Sequence, residues 1–186
     1  TAIHALDNNT LVERNRLNDI AMLPGMGETF FGYFGIQVGG LNNIVRENRI
    51  INTGYSGIFG DSNALIEKNF VKGFLCTLND GGGIYWDSGS GITVQDNIVV
   101  DPVGNLSSVA ANNPVTVRLG FGIYFGNAQI TGARVQRNTV VNCDMGVWVD
   151  HTMASSDNRV IDNTLFGNLN SQIGFSDYSN TNGPTA

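Results

Sequence analysis

The amino-acid sequence predicts an all-β fold, a parallel β-helix solenoid of about six to seven coils that forms a section of a longer one. Three observations lead there. A six-residue phrase recurs six times, a second apolar phrase falls between its copies, and no stretch keeps a helical period.

The first phrase is an aliphatic residue, two mostly polar ones, Asn, any residue and another aliphatic. It runs from Val12 to Leu17, Val45 to Ile50, Ile66 to Val71, Val94 to Val99, Val135 to Val140 and Val160 to Leu165. Its Asn (Asn15, Asn48, Asn69, Asn97, Asn138, Asn163) never varies. An Asn tolerates unusual backbone angles at a sharp corner, and its amide can bond the next coil's Asn and backbone. The second phrase centres on Ile36, Ile58, Ile84, Ile123, Val147 and Ile173, and Ala2-Ile3-His4 fits the same slot, giving seven rungs. One coil cannot bury its inward side chains alone. Stacking at about 4.8 Å turns Val12, Val45, Ile66, Val94, Val135 and Val160 into one core column.

Composition agrees with this reading. Of 186 residues 41% are apolar, enough for one continuous core over residues 1–178, with 179–186 as a polar tail. Only 14% are charged, against about 25% in ordinary domains, while Gly reaches 24 residues, which suits short strands and tight turns. The net charge is -6 and the ten Lys and Arg are scattered, so no basic stripe exists to track nucleic acid. No apolar run approaches the roughly 18 residues needed to cross a bilayer, so no membrane partner is expected. Cys76 and Cys143 have neither metal-like spacing nor a nearby His, and read as small packing side chains.

On these repeats the sequence resembles the parallel β-helix proteins of the pectate-lyase-like superfamily over residues 2 to 178. The resemblance implies a right-handed coil, as does the handedness of parallel crossovers. It also implies an extracellular or cell-surface location and a polysaccharide or glycan partner. It does not select a reaction, because lyases, hydrolases, epimerases, tailspikes and adhesins share the fold.

From each fixed Asn to the next aliphatic centre the spacing is 21, 10, 15, 26, 9 and 10 residues. The long insertions (21–33, 73–81 and 102–120) therefore leave one corner and are expected to wall one face. No polar cap precedes the first rung, which leaves room for stacking on further β-helix coils.

Strand alternation points two columns outward beside that wall. The first includes His4, Gln37, Phe59, Tyr85, Tyr124 and Trp148. The second includes Asp61, Asp87, Gly126 and Asp150, followed by His151. Four outward aromatics suit stacking on sugar rings, with Asp80, Asn127 and Arg118 as further substrate contacts. Covering loops would instead make the same rings structural. Asp61 and Asp87, one rung apart, would lie about 5 Å from each other, as in retaining glycosidases, with one pKa raised by the other charge. Asp87 and Asp150, two rungs apart, approach the inverting separation of roughly 9 Å. His151 is a further acid or base candidate. No cofactor is required. Ca²⁺ would suit the Asp oxygens but needs six to eight ligands.

The family's lyases use a Lys or Arg base, and this face carries neither, which disfavours a lyase. Hydrolysis of a polysaccharide is the leading expectation, and a non-catalytic glycan-binding or structural β-helix is the alternative.

Overall fold

The computed structural model describes residues 1–26, 30–106, 117–126, 128–151 and 156–177. Its strands form three main sheets, all of them parallel. Sheet I has seven strands: Ile3–Ala5, Ile36–Val38, Ile58–Phe59, Gly81–Trp86, Gly120–Phe125, Met145–His151 and Ser171–Asp177. Sheet II has six, from Leu11–Glu13 through Ile44–Arg46, Leu65–Glu67, Thr93–Gln95 and Arg134–Gln136 to Arg159–Ile161. Sheet III follows each fixed Asn: Arg16–Ile20, Arg49–Thr53, Phe70–Lys72, Ile98–Val100, Thr139–Val141 and Thr164–Phe166. A minor pair, Gly89–Ser90 with Ile130–Thr131, lies beyond the end of sheet I. The strands described thus run to Asp177, and the tail at 178–186 lies outside the described residues.

Register is the one the repeat predicts. Ile3, Ile36, Ile58, Ile84, Ile123, Val147 and Ile173 align in sheet I. Val12, Val45, Ile66, Val94, Val135 and Val160 align in sheet II. The interior rungs of both columns are fully buried, and so are Trp86 and Phe125 between them. The end coils depart: Ile3 is half-buried, Ile173 is 43% and Phe175 67% exposed, because no described coil stacks beyond them. Small residues let the sheets meet: a Cβ on Gly83 would stand 2.3 Å from Val99 Cγ1 of sheet III.

The fixed Asn residues form a hydrogen-bonded ladder. Asn97 donates its backbone N–H and its Nδ2 to Asn138 Oδ1 (3.0 and 2.9 Å) and its Nδ2 also to the Ile66 carbonyl of the previous coil (2.9 Å). Asn15, Asn48, Asn69 and Asn138 each pass the same pair of bonds to the next Asn. One expectation is corrected here. The left-handed backbone belongs to the residue before each Asn, namely Arg14, Glu47, Lys68, Asp96, Arg137 and Asp162, with φ between 53° and 57°. A left-handed residue with a Cβ costs about 1–2 kcal/mol, and the Asn bonds offset it.

Those six residues also alternate in charge along the coil axis: plus, minus, plus, minus, plus, minus. Neighbouring rungs therefore attract. Arg14 Nε bonds Glu47 at 2.9 Å and Arg137 Nε bonds Asp96 at 2.9 Å, and these partners hold both carboxyls below the usual carboxylate range.

Candidate functional site

The three insertions leave the corner between sheets III and I and stack as a body of their own. Thr77 Oγ1 donates to the Ala21 carbonyl (2.9 Å), and Asn105 Nδ2 donates to the carbonyls of Cys76 and Thr77 (3.2 Å each). Asn79 bridges to the third insertion, accepting from Leu119 N–H and donating to the Val117 carbonyl (both 3.0 Å). Arg118 is consumed in this layer: its Nε meets the buried Asp144 at 2.7 Å, and Asp144 also accepts from Gly120 N–H at 2.7 Å. It holds the insertion down and does not reach toward the Asp column.

Sheet register places Gln37, Phe59, Tyr85, Tyr124 and Trp148 in one column, as the alternation requires. The centre of that column is closed. Tyr85 and Tyr124 are each only 5% exposed, whereas Phe59 and Trp148 at its ends are half-buried. The rings stack on one another and not toward solvent. Tyr85 and Tyr124 lie 4.9 Å apart and nearly parallel, and Phe121 stacks on Tyr124 at 4.3 Å. Tyr55 meets Tyr85 edge-on at 6.4 Å, and Phe34 stacks on Phe59 at 5.0 Å. Trp148 lies over Gly174, where a Cβ would come within 2.0 Å of its ring. An open four-ring platform is therefore absent from this arrangement: the two central tyrosines present no free face, because neighbouring turns supply rings that cover them.

The second column shows why two acids one rung apart need not form a pair. Asp61 leans toward the preceding coil, where its Oδ2 accepts from Gly40 N–H at 3.3 Å, while its Oδ1 accepts from Ser62 N–H at 2.6 Å. Asp87 leans the other way. It accepts a hydrogen bond from the Tyr85 hydroxyl and lies over Gly126, where a Cβ would stand 2.6 Å from its Oδ1. The two carboxylates are thus anchored to groups on different coils. Burial, reinforced by neighbouring Tyr55 and Asp87, pushes the Tyr85 hydroxyl well above its ordinary pKa, so it stays a proton donor to Asp87.

The other predicted site residues are distributed as follows. Asp80 has left-handed backbone (φ 62°), and its carbonyl accepts from the Tyr55 hydroxyl at 2.6 Å while the residue itself is exposed. Asp150 and His151 lie in the strand Met145–His151, opposite Ser176 and Asp177, and their side chains are outside the described residues, as is Asn127. Among the described residues no group of three or more His, Cys, Asp or Glu is placed to hold a metal.

Sequence reasoning missed the groove beside these carboxylates. An open cavity of about 300 Å³ is lined by Ser62, Gly89, Ser90, Gln129 and Thr131. These residues follow Asp61, Asp87 and Gly126 on three consecutive coils, past the end of sheet I. Ser90 N–H donates to Ser62 Oγ at 3.3 Å, and Ser90 pairs with Thr131 in the minor sheet. The signal in the sequence was a run of Ser, Gly, Gln and Thr after each outward Asp position, which by composition reads only as turn.

A stacked parallel coil with an internal Asn ladder defines a β-helix protein. The family model described as right-handed β-helix region matches residues 1–183, and the chain belongs to that family. No curated protein and no solved structure matches it.

Proposed function

We propose that this β-helix binds an uncharged polysaccharide at the corner groove beside Asp61 and Asp87. One observation carries the reading. The groove is lined by hydroxyl, amide and backbone groups from three successive coils, a span of about 10 Å, with a carboxylate at the start of two of them. Sugar hydroxyls both donate and accept, and such a lining offers both. No Lys or Arg lines the groove and the chain carries a charge of -6, so an anionic glycan is disfavoured. A glycan ligand fits an extracellular or cell-surface location.

Cleavage of the bound chain is the second reading, and the Tyr85–Asp87 bond favours it, because a donor bonded to a carboxylate fixes its orientation for work as a base.

The test is a glycan array followed by product analysis of every hit. Binding of neutral glycans that Ser90→Trp abolishes, by filling the groove, supports the first reading, and products lost in Asp87→Asn add the second. Absence of binding to any glycan, or binding that survives Ser90→Trp, overturns the groove as the site.

A further inference from the structure

Sheet III presents an outer face unlike that of a solvated sheet. Its two outward columns run Arg16, Arg49, Phe70, Ile98, Thr139, Thr164 and Asn18, Ile51, Lys72, Val100, Val141, Phe166. The middle and later rungs form a connected apolar field. Ile98 is 44% and Phe166 54% exposed, with Phe70, Val100 and Val141 half-buried around them. Arg49 stands over the Phe70 ring at 5.7 Å and closes one end. A contiguous apolar field of this kind marks a contact surface.

What fits it is written in the ladder along its edge. We propose that two copies of this chain pair through sheet III, face to face, with their coil axes antiparallel. A two-fold axis running along the strands, between the Phe70 and Ile98 rungs, sets each rung against one of opposite parity. The alternating ladder then matches throughout: Arg14 faces Asp162, Glu47 faces Arg137, and Lys68 faces Asp96. Phe70 meets Ile98 at the axis, and Ile51 meets Val141. On the opposite edge Asp19, Asn52 and Gly73 would face Gly167, Asn142 and Asp101, so no like charges meet. With the coil axes parallel, the two-fold runs along the coil axis instead, each ladder meets the partner's opposite edge, and the match is lost: Arg14 would face Asp19, but Asp96 would face Asp101. Apolar burial supplies the attraction, and the ladder selects the direction. The match depends on alternation alone, so it holds wherever further coils begin or end.

Sedimentation equilibrium of the whole chain tests this, with circular dichroism confirming the fold of each variant. The expected wild-type result is twice the monomer mass. Ile98→Arg, an outward change on an exposed position, is expected to raise the dimer dissociation constant at least tenfold. Lys68→Asp should weaken the dimer, and adding Asp96→Lys should restore it, because the pair across the axis is rebuilt. A monomeric wild type overturns the proposal, and so does a dimer indifferent to Ile98→Arg. A double variant no tighter than Lys68→Asp overturns the antiparallel arrangement.

Discussion

Tyr85 donates its hydroxyl to Asp87, two positions on and just past the end of its strand, and the next coil sets Gly126 against them. The bond holds a carboxylate two residues before the groove-lining Gly89 with a donor that burial keeps protonated. Replacing Tyr85 by Phe removes one charge-assisted bond and is expected to cost about 1.5–3 kcal/mol in urea unfolding. Asp87→Asn should cost less, and the double variant should show coupling of about 1 kcal/mol or more. Additive effects would show that the two groups do not interact.

Gly126 gives a second expectation. A Cβ there would meet Asp87 Oδ1 at 2.6 Å and Tyr85 Cε2 at 2.9 Å. Gly126→Ala should therefore displace Asp87 together with the buried Tyr85 ring, and the Asp87 Cα at 3.0 Å must give as well. Ligand affinity at the groove should drop by more than tenfold, and the midpoint of thermal unfolding should fall with it, through about 1–3 kcal/mol of overpacking.

Alkaline stability follows from four groups. Burial, first among the causes, raises the pKa of Cys76 to about 11 and pushes Cys143, Tyr55 and Tyr85 higher still. Each group is neutral in the folded chain at a pH where the unfolded chain has already lost the proton. The unfolded state thus binds fewer protons, and stability falls as pH rises. Thermal unfolding scans should give a level midpoint up to about pH 8 and a steady decline beginning near pH 9, the ordinary thiol range. A level midpoint to pH 11 would contradict this.

The Asn ladder makes position along the axis matter. Asn97 is buried and makes bonds to coils on both sides, whereas Asn15 is half-buried and has a coil on one side only. Asn97→Ala removes the acceptor of the buried Asn69 N–H, one of the two bonds of Asn69 Nδ2 and a donor to the Ile66 carbonyl. It should cost roughly 3 kcal/mol or more, by the desolvation of each orphaned group, and Asn15→Ala roughly 1 kcal/mol. Equal losses in chemical denaturation would argue against a cooperative ladder.

Fold and site differed in how far the sequence revealed them, for a physical reason. The period of two and the recurring Asn are local patterns, so sheet membership, register and the inward columns could be read directly. The state of Tyr85 and Tyr124 is not fixed by strand alternation alone: it depends on their stacking on each other across coils, on Tyr55 from the preceding coil and on Phe121, three residues before Tyr124 in its own strand. Backbone strain at the corner was assigned to Asn, the residue type known to tolerate it. It falls instead on Arg, Glu, Lys or Asp one position earlier, a set that shares no backbone preference. The charge alternation of that set was present in the sequence, but it has meaning only once the six positions are known to stand in one line.

A close approach of sheets I and III offers a sharp test of the core. Gly83 precedes the inward Ile84, and a Cβ there would lie 2.3 Å from Val99 Cγ1, 3.0 Å from Phe74 Cε1 and 3.1 Å from the Gly122 carbonyl. Val99 is fully buried and held in its strand by Val71 and Val140 on either side, so it has nowhere to move. Gly83→Ala should therefore destabilise by about 1–3 kcal/mol through overpacking. Val99→Ala alone should cost a similar amount by leaving a cavity. Together the two changes exchange volume across the same contact, and the double variant should be more stable than the sum of the single losses by about 1 kcal/mol or more. If the losses simply add, the glycine is tolerated there for its backbone and not required by the neighbouring sheet.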